Sequence, residues 1–187
     1  MRLLKKIIFI LPWFLFAFQS VKLVKTKIGK SITISLPDDF MLMSQSEIRS
    51  RFVSAREPLA IYSDGTGNVD FTINVAYSRW NPDDLELMQS FYKSTIMGLY
   101  DQVHFIKEDV EEINGRRFAV FEFISSVGEQ SDIPFNSNTI GRYTYIQYAI
   151  VNGKTVLFNL TCPTPLRKKW GPLAKEIMGS VTIKDTI

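Results

Sequence analysis

Apolar and polar residues alternate along many stretches of the chain, the pattern of β-strands that bury one face. Many of the apolar positions are β-branched or aromatic, as strands prefer. The predicted strands cover Ser31–Pro37, both sides of a turn within Pro58–Trp80, Val103–Ile113, Arg116–Val127, 142–151, 154–162 and Val181–Lys184. The chain is therefore rich in strand, with helices in the remaining segments.

Three segments carry helical signals instead. Ser44 and Glu47 have the spacing of a capping box, which predicts a short helix after Ser44. Residues 81–100 begin with Asn81-Pro82, a good N-cap and first position, and then repeat apolar residues every three to four positions. A third helix is predicted to begin at Thr164-Pro165, with a kink or restart at Gly171-Pro172.

Two Asn-Gly pairs, at 114–115 and 152–153, each separate two strand-like runs. Asn-Gly between alternating runs predicts a two-residue type I′ hairpin. Because the same device occurs twice, the charged residues around Gly115 require no ligand to explain them. Hairpins in series imply an antiparallel meander. The fold class is therefore α+β, with a central antiparallel meander sheet and helices packed on its faces.

Residues 1–20 differ from the rest of the chain. Basic residues (Arg2, Lys5 and Lys6) precede an apolar run at 7–18 that is short for a membrane-spanning helix. This pattern predicts a secretory signal peptide, with an uncleaved N-terminal anchor as the alternative. We therefore expect an exported protein, periplasmic or extracellular, whose membrane contact is limited to this segment if it stays uncleaved. Residues 21–30 are then a leader, and 31–187 form one domain.

The excess of positive charge belongs to that N-terminal segment. The whole chain has 22 Lys+Arg and 19 Asp+Glu, and residues 1–20 hold three of the basic residues and no acidic one. Beyond residue 20 the two signs balance. Nucleic-acid binding normally requires a basic excess on the folded domain, so we do not expect a nucleic-acid partner.

Groups that commonly carry out catalysis are scarce. His104 and Cys162 are the only residues of their kind. A single histidine and a single cysteine cannot make a zinc site, and Cys162 alternates with apolar residues, as a buried thiol would. Asp64, Asn68 and Asp70 do not follow the EF-hand order and fit a turn better. We therefore expect no enzyme, no catalytic or metal-binding residues and no cofactor.

Glu122 is the one carboxylate that stands out, because it lies between Phe121 and Phe123. A buried carboxylate at this position would be a candidate for carboxylate-based catalysis. The alternative, which we favour from the sequence, is that one face of the sheet is partly solvated.

The segment Gly128–Gly141 is longer than a hairpin requires and joins two predicted strands. It carries Ile133, Phe135 and Ile140 among small polar residues, and Tyr143 follows. We predict that these four residues bind a protein partner in the cell envelope. The alternative is a loop whose Phe135 packs back onto the sheet. For Tyr143 the competing expectation is packing inside the sheet.

An alternative function follows from the helix at 81–100. Trp80, Phe91, Tyr92 and Tyr100 lie in or beside it. These aromatic residues would line a pocket between helix and sheet for a small apolar or lipid-like ligand.

The order of elements also resembles a known group. An alternating strand ends in Leu36-Pro37, a middle helix follows, and then come the segment around Asn114-Gly115-Arg116, an aromatic second hairpin and a C-terminal helix. This arrangement is similar to the PsbP/DcrB-like α/β/α sandwich family, over roughly Ser31–Lys184. The resemblance implies helices on both faces of an antiparallel sheet. It also implies a non-catalytic accessory or binding role in the cell envelope, and no catalytic motif is carried over.

Overall fold

The computed structural model describes residues 21–52, 57–127 and 140–187, apart from the side chain of Ile140. The first strands and the first helix are β1 (Leu23–Ile28), β2 (Ile32–Pro37), β3 (Met41–Leu42) and α1 (Gln45–Arg51). The middle elements are β4 (Ala60–Ser63), β5 (Asp70–Tyr77), α2 (Leu85–Leu99), β6 (Gln102–Ile113) and β7 (Arg116–Val127). The last elements are β8 (Ile140–Val151), β9 (Lys154–Pro163), α3 (Arg167–Gly179) and β10 (Thr182–Ile183).

Seven strands form one large antiparallel sheet in the order β3-β4-β5-β9-β8-β7-β6. The strands β6 to β9 follow one another as a meander, and β5 pairs with β9 to join the two halves. The α+β class and the antiparallel sheet predicted from the sequence are therefore confirmed. A second, three-stranded sheet has the order β1-β2-β10.

Both predicted Asn-Gly turns are present. Asn114 and Gly115 have φ values of 51° and 78°, and Asn152 and Gly153 have 47° and 69°. Two successive residues with positive φ define the type I′ turn, and Asn and Gly tolerate this backbone region best. The Asn114 side chain also donates hydrogen bonds to the carbonyls of Gly179 and Val181, so the turn contacts the C-terminal end of α3.

The helix ends follow the local sequence only in part. The Ser44 hydroxyl accepts from the Glu47 N–H and the Glu47 carboxylate accepts from the Ser44 N–H, which confirms the capping box. Single 3-10 turns, Pro82–Asp84 and Thr164–Leu166, precede α2 and α3. The predicted restart in the third helix is wrong, because α3 continues through Pro172 to Gly179.

Apolar residues on the two faces of the large sheet form two cores. On one face, α2 buries Leu85, Met88 and Ile96 against Phe121 and Phe123 of β7. The other core lies between the large sheet, α3 and the three-stranded sheet. Its buried members include Ile34, Phe118, Phe158, Trp170 and Ile177. Helices thus cover both faces, as predicted.

The prediction of a leader at 21–30 is corrected by the structure. Residues 23–28 form β1, which pairs along its whole length with β2. Ile28 is buried, whereas Lys25 and Lys27 are exposed. Lysines on one face of an outer strand are common because they discourage pairing with other chains. The domain therefore includes this strand.

Within the described ranges, no helix combines the length and the apolar character that crossing a bilayer requires. Residues 1–20, with the predicted signal peptide or anchor, lie outside those ranges.

Candidate functional site

One face of the large sheet is covered only in part, which leaves a groove beside α2. The sheet register aligns Asn74 of β5, Leu157 of β9 and Tyr148 of β8 side by side. The helix α2 packs mainly over β6 and β7 and reaches Tyr148, so it leaves part of β9 and β5 open. The result is an open cavity of about 600 Å³, here called the aromatic groove. It is lined by Asn74, Ala76, Tyr77, Ser78, Arg79, Trp80, Phe91, Tyr92, Tyr148, Thr155 and Leu157.

Four aromatic rings form a continuous wall of this groove. Trp80 and Phe91 have ring centroids 5.7 Å apart, and Phe91 meets Tyr92 edge to face at 5.4 Å. Tyr92 stacks on Tyr148 at 4.2 Å. Phe91 is 54% exposed and Tyr77, at the rim, is 89% exposed. Large apolar groups next to a concave surface are typical of a ligand site.

The polar groups of the aromatic groove are almost all uncharged. Arg79, an exposed residue, is its one charged lining residue. Burial raises the pKa of the Tyr92 hydroxyl and the pKa of the Tyr148 hydroxyl. Both tyrosines therefore stay neutral at physiological pH. The surroundings thus suit a ligand with an apolar or aromatic body.

The structure brings together three of the four aromatic residues singled out around the second helix. Trp80, Phe91 and Tyr92 lie in the groove, whereas Tyr100 packs on Phe123 and lines a different cavity. Tyr148 and Leu157 were missed, because only the pairing of β8 with β7 and with β9 places them beside α2. The only signal in the sequence was that Tyr148 and Leu157 alternate with residues that are buried in the fold.

Of the four residues predicted to bind a protein partner, Tyr143 requires a correction. It is completely buried, and its hydroxyl donates to the Oε1 atom of Glu122 at 3.1 Å. Tyr143 therefore packs inside the sheet and contributes nothing to an exposed contact surface. Ile133, Phe135 and the side chain of Ile140 lie outside the described residues, so their part in partner binding stays a prediction.

Glu122 lies on the face of the sheet that α3 covers, and it is 2% exposed. The prediction that this face is partly solvated is wrong, because Val120 and Ile124, the neighbours of Glu122 on the same face, are buried as well. Its Oε2 atom lies 3.2 Å from the ammonium of Lys175, which reaches in from α3. Tyr143 and Lys175 thus compensate the buried charge.

The other chemically notable residues have structural surroundings. His104 is exposed on β6, at the edge of the large sheet. Cys162 is buried, and burial raises the pKa of its thiol to about 11. Asp64 accepts hydrogen bonds from the N–H groups of Asn68 and Val69, which holds the turn before β5. The described ranges contain no cluster of His, Cys, Asp or Glu able to hold a metal ion.

Comparison with known proteins gives matches at the level of structure alone. No family model matches the chain, and no curated protein sequence does. Among solved structures, the Ran-binding protein Mog1p of Saccharomyces cerevisiae is similar with a TM-score of 0.60 and 13% identity. This match covers 89% of the present chain and 98% of that chain.

Two further structures match over similar lengths. Cyanobacterial PsbP (CyanoP) from Synechocystis sp. PCC 6803 has a TM-score of 0.56 and 12% identity, covering 90% of the present chain and 96% of that one. LpqN of Mycobacterium tuberculosis, described as involved in cell envelope biogenesis, has a TM-score of 0.54 and 13% identity, covering 88% and 91%. The chain has the PsbP-like α/β/α sandwich fold. The resemblance seen in the sequence is thus confirmed for the fold, and at these identities for the fold alone.

Proposed function

We propose that this chain is a non-catalytic accessory domain of the cell envelope that binds a small apolar or lipid-like ligand in the aromatic groove. The single observation that carries the proposal is the groove itself, about 600 Å³ in volume with Trp80, Phe91, Tyr92 and Tyr148 along it. Such a groove exposes apolar surface to water, and a ligand that covers this surface gains about 25 cal/mol for each Å² buried.

The choice of a binding role over catalysis rests on the positions of the reactive side chains. His104 is exposed at the sheet edge, and the thiol of Cys162 is buried in the core. Neither residue lines the aromatic groove. The groove therefore offers shape and apolar contact, with Asn74, Ser78 and Thr155 available to orient a ligand through hydrogen bonds.

The location in the envelope rests on two observations. Residues 1–20 have the basic and apolar regions of a signal peptide or anchor. One protein of similar structure, LpqN, is described as involved in cell envelope biogenesis. Fractionation of cells followed by N-terminal sequencing tests this part, since export with cleavage gives a new N-terminus near residue 20. A purely cytosolic protein with an intact N-terminus would contradict it.

Ligand binding is tested with the apolar fluorophore N-phenyl-1-naphthylamine, whose emission rises when it leaves water. We expect saturable binding to the purified domain. Phe91→Ala removes a half-exposed wall of the groove and should weaken binding about fivefold, or about 1 kcal/mol. Leu87→Ala is the matched control, because Leu87 lies on the same helix, is 62% exposed and does not line the groove.

Equal effects of the two substitutions, or no saturable binding at all, would contradict the proposal. Native mass spectrometry of the protein extracted from its own envelope complements the assay. A mass above that of the chain, lost in the Phe91→Ala variant and kept in Leu87→Ala, would show a natural ligand in the aromatic groove.

A further inference from the structure

A second cavity lies on the opposite face of the large sheet, beneath α3. It has a volume of about 630 Å³ and is here called the Glu122 cavity. Glu122 of β7 contributes to it from the sheet, and the other lining residues belong to α3 and the turn before it. They are Thr164, Pro165, Arg167, Lys168, Gly171, Pro172 and Lys175. The aromatic groove shares no residue with this cavity.

The charges around the Glu122 cavity are predominantly positive. Arg167, Lys168 and Lys175 line it, and Glu122 is the only acidic residue among its described lining residues. Because Lys175 pairs with Glu122, the guanidinium of Arg167 and the ammonium of Lys168 are left without an acidic partner among the described residues. No described carboxylate forms a salt bridge with either of them. Both also lie in the first turn of α3, where the helix dipole disfavours cations.

An anionic group at the rim of the cavity, beside Arg167 and Lys168, would relieve the unfavourable interaction of these cations with the helix dipole. It would meet two cations at the positive end of a helix, where anions are stabilised.

Two oxygen atoms on the floor of the cavity have no hydrogen-bond donor aligned with them among the described residues. The Oε2 atom of Glu122 is inaccessible to solvent and lies 3.2 Å from the ammonium of Lys175, which balances its charge without an aligned hydrogen bond. The hydroxyl oxygen of Thr164 is likewise inaccessible and has no hydrogen-bond partner among the described residues. Buried polar atoms are nearly always hydrogen-bonded in folded proteins, and an unmet one is destabilising. Both atoms can accept a hydrogen bond from a bound hydroxyl or ammonium group.

The helix above the cavity keeps the space open at a cost to its own stability. Gly171 and Pro172 are the two poorest helix formers, and α3 holds them next to each other. Close packing does not require glycine, since a Cβ atom at Gly171 would lie 3.8 Å from the Tyr143 hydroxyl, an ordinary contact. Pro172 also removes the N–H that would bond to the Lys168 carbonyl. A longer side chain at position 171 would instead reduce the space over Glu122.

We propose that the Glu122 cavity binds a small organic anion that also carries a hydrogen-bond donor, such as a hydroxylated phosphate. The anionic group lies between Arg167 and Lys168 at the rim. The hydroxyl or amine of the ligand reaches inward and donates to Glu122 and Thr164. Such a ligand satisfies both the uncompensated cations and the unmet acceptors, which a bare anion or a neutral polyol cannot do together.

The experiment is isothermal titration calorimetry of the full domain with three probes: glycerol 3-phosphate, inorganic phosphate and glycerol. Glycerol 3-phosphate should bind at least about tenfold more tightly than inorganic phosphate, a difference of about 1.4 kcal/mol. Glycerol should not bind measurably at about 10 mM. Absence of any glycerol 3-phosphate binding at that concentration overturns the proposal, as does equal binding of the two phosphates.

Three variants locate the site. Lys168→Ala should weaken the binding of glycerol 3-phosphate about fivefold or more, the effect of losing one close charge. Lys169→Ala is the matched control: it removes the same charge one residue away, from a side chain that lies over Trp170 and does not line the cavity. Glu122→Gln should remove the preference for glycerol 3-phosphate over phosphate. Equal losses in the two lysine variants would show diffuse attraction by a basic surface and overturn the site.

The same chemistry can come from a free metabolite or from the headgroup of an anionic phospholipid. Co-sedimentation with phosphatidylglycerol vesicles separates these sources. Sedimentation that Lys168→Ala reduces more than Lys169→Ala, and that glycerol 3-phosphate competes away, identifies a lipid headgroup. Binding of glycerol 3-phosphate in calorimetry without vesicle binding identifies a free ligand. Circular dichroism of each variant shows that it is folded before its binding is compared.

Discussion

Tyr92 of α2 and Tyr148 of β8 stack with ring centroids 4.2 Å apart and 11° between their planes. This pair joins the helix to the sheet at the edge where α2 stops covering it. The same rings form the inner wall of the aromatic groove, so the packing of the core determines the shape of the proposed ligand site.

Replacing Tyr92 by Leu should lower the free energy of unfolding by about 1 kcal/mol, because stacked aromatic pairs contribute about 0.5–1.5 kcal/mol beyond their area. Binding of N-phenyl-1-naphthylamine should weaken in the same variant. Tyr92→Phe keeps the stacked ring and serves as the control, with both quantities close to those of the original chain. Urea denaturation measures the first and fluorescence titration the second. A Phe variant as weak as the Leu variant would show that the hydroxyl, and not the stack, matters.

Lys175→Met should destabilise the domain by about 1–3 kcal/mol, because it leaves the carboxylate of Glu122 buried without its charge partner. Lys168→Met is the comparison, since Lys168 has no acidic partner among the described residues. Its free energy of unfolding should change by less than about 0.5 kcal/mol. Denaturation at neutral pH gives both values. Equal stabilities of the two variants would mean that Lys175 does not compensate the buried charge.

Asn114 combines a left-handed backbone with two side-chain hydrogen bonds to the end of α3. Asn114→Gly keeps the backbone conformation and loses the hydrogen bonds, so it should cost about 1–2 kcal/mol. Asn114→Ala should cost about 1 kcal/mol more, since alanine also resists positive φ. Thermal or urea unfolding measures this order, and an Ala variant at least as stable as the Gly variant would contradict it.

Stability should decline in alkaline solution. Burial raises the pKa of the Cys162 thiol from 9.0 to about 11, and the pKa of Tyr143 is raised as well, chiefly by burial and then by Glu122. Between pH 9 and pH 11 the unfolded chain therefore releases the thiol proton while the folded chain keeps it. The unfolded state binds fewer protons, so the free energy of unfolding falls as the pH rises.

The measurement is the unfolding temperature as a function of pH for the original chain and for Cys162→Ala. The slope between pH 9 and pH 11 should be shallower in the variant, whatever its stability at neutral pH. Tyr143→Phe should flatten the curve at still higher pH. Identical slopes in all three proteins would show that neither group titrates differently in the folded and unfolded states.

Features whose signals lie within a few adjacent residues were predictable. The turns at Asn114-Gly115 and Asn152-Gly153 and the cap formed by Ser44 and Glu47 depend on the backbone and its nearest side chains. The stripe on the second helix and the buried face around Cys162 depend on periodicity. The helical stripe and the buried strand face are present in the fold, because burial of the large sheet requires the same apolar positions that the local pattern marks.

Features that depend on distant segments were not predictable in the same way. The basic stretch around Lys25 and Lys27 looked like a leader, yet it pairs with β2, and β10 from the far end of the chain completes that sheet. Glu122 seemed to lie on a solvated face, because nothing near it in the chain shows that α3 covers it with Lys175. Nothing in the sequence around Tyr148 indicates a groove, because the groove depends on the pairing of β8 with β9.

The amino-acid sequence by itself determined most of the strands, the three helices and the two Asn-Gly hairpin turns, since backbone preference and alternation act over a few residues. The tertiary structure alone decided which faces meet, which part of the large sheet α2 leaves open and which charged side chains line the Glu122 cavity. These outcomes depend on contacts between residues far apart in the chain, and no local pattern records such contacts.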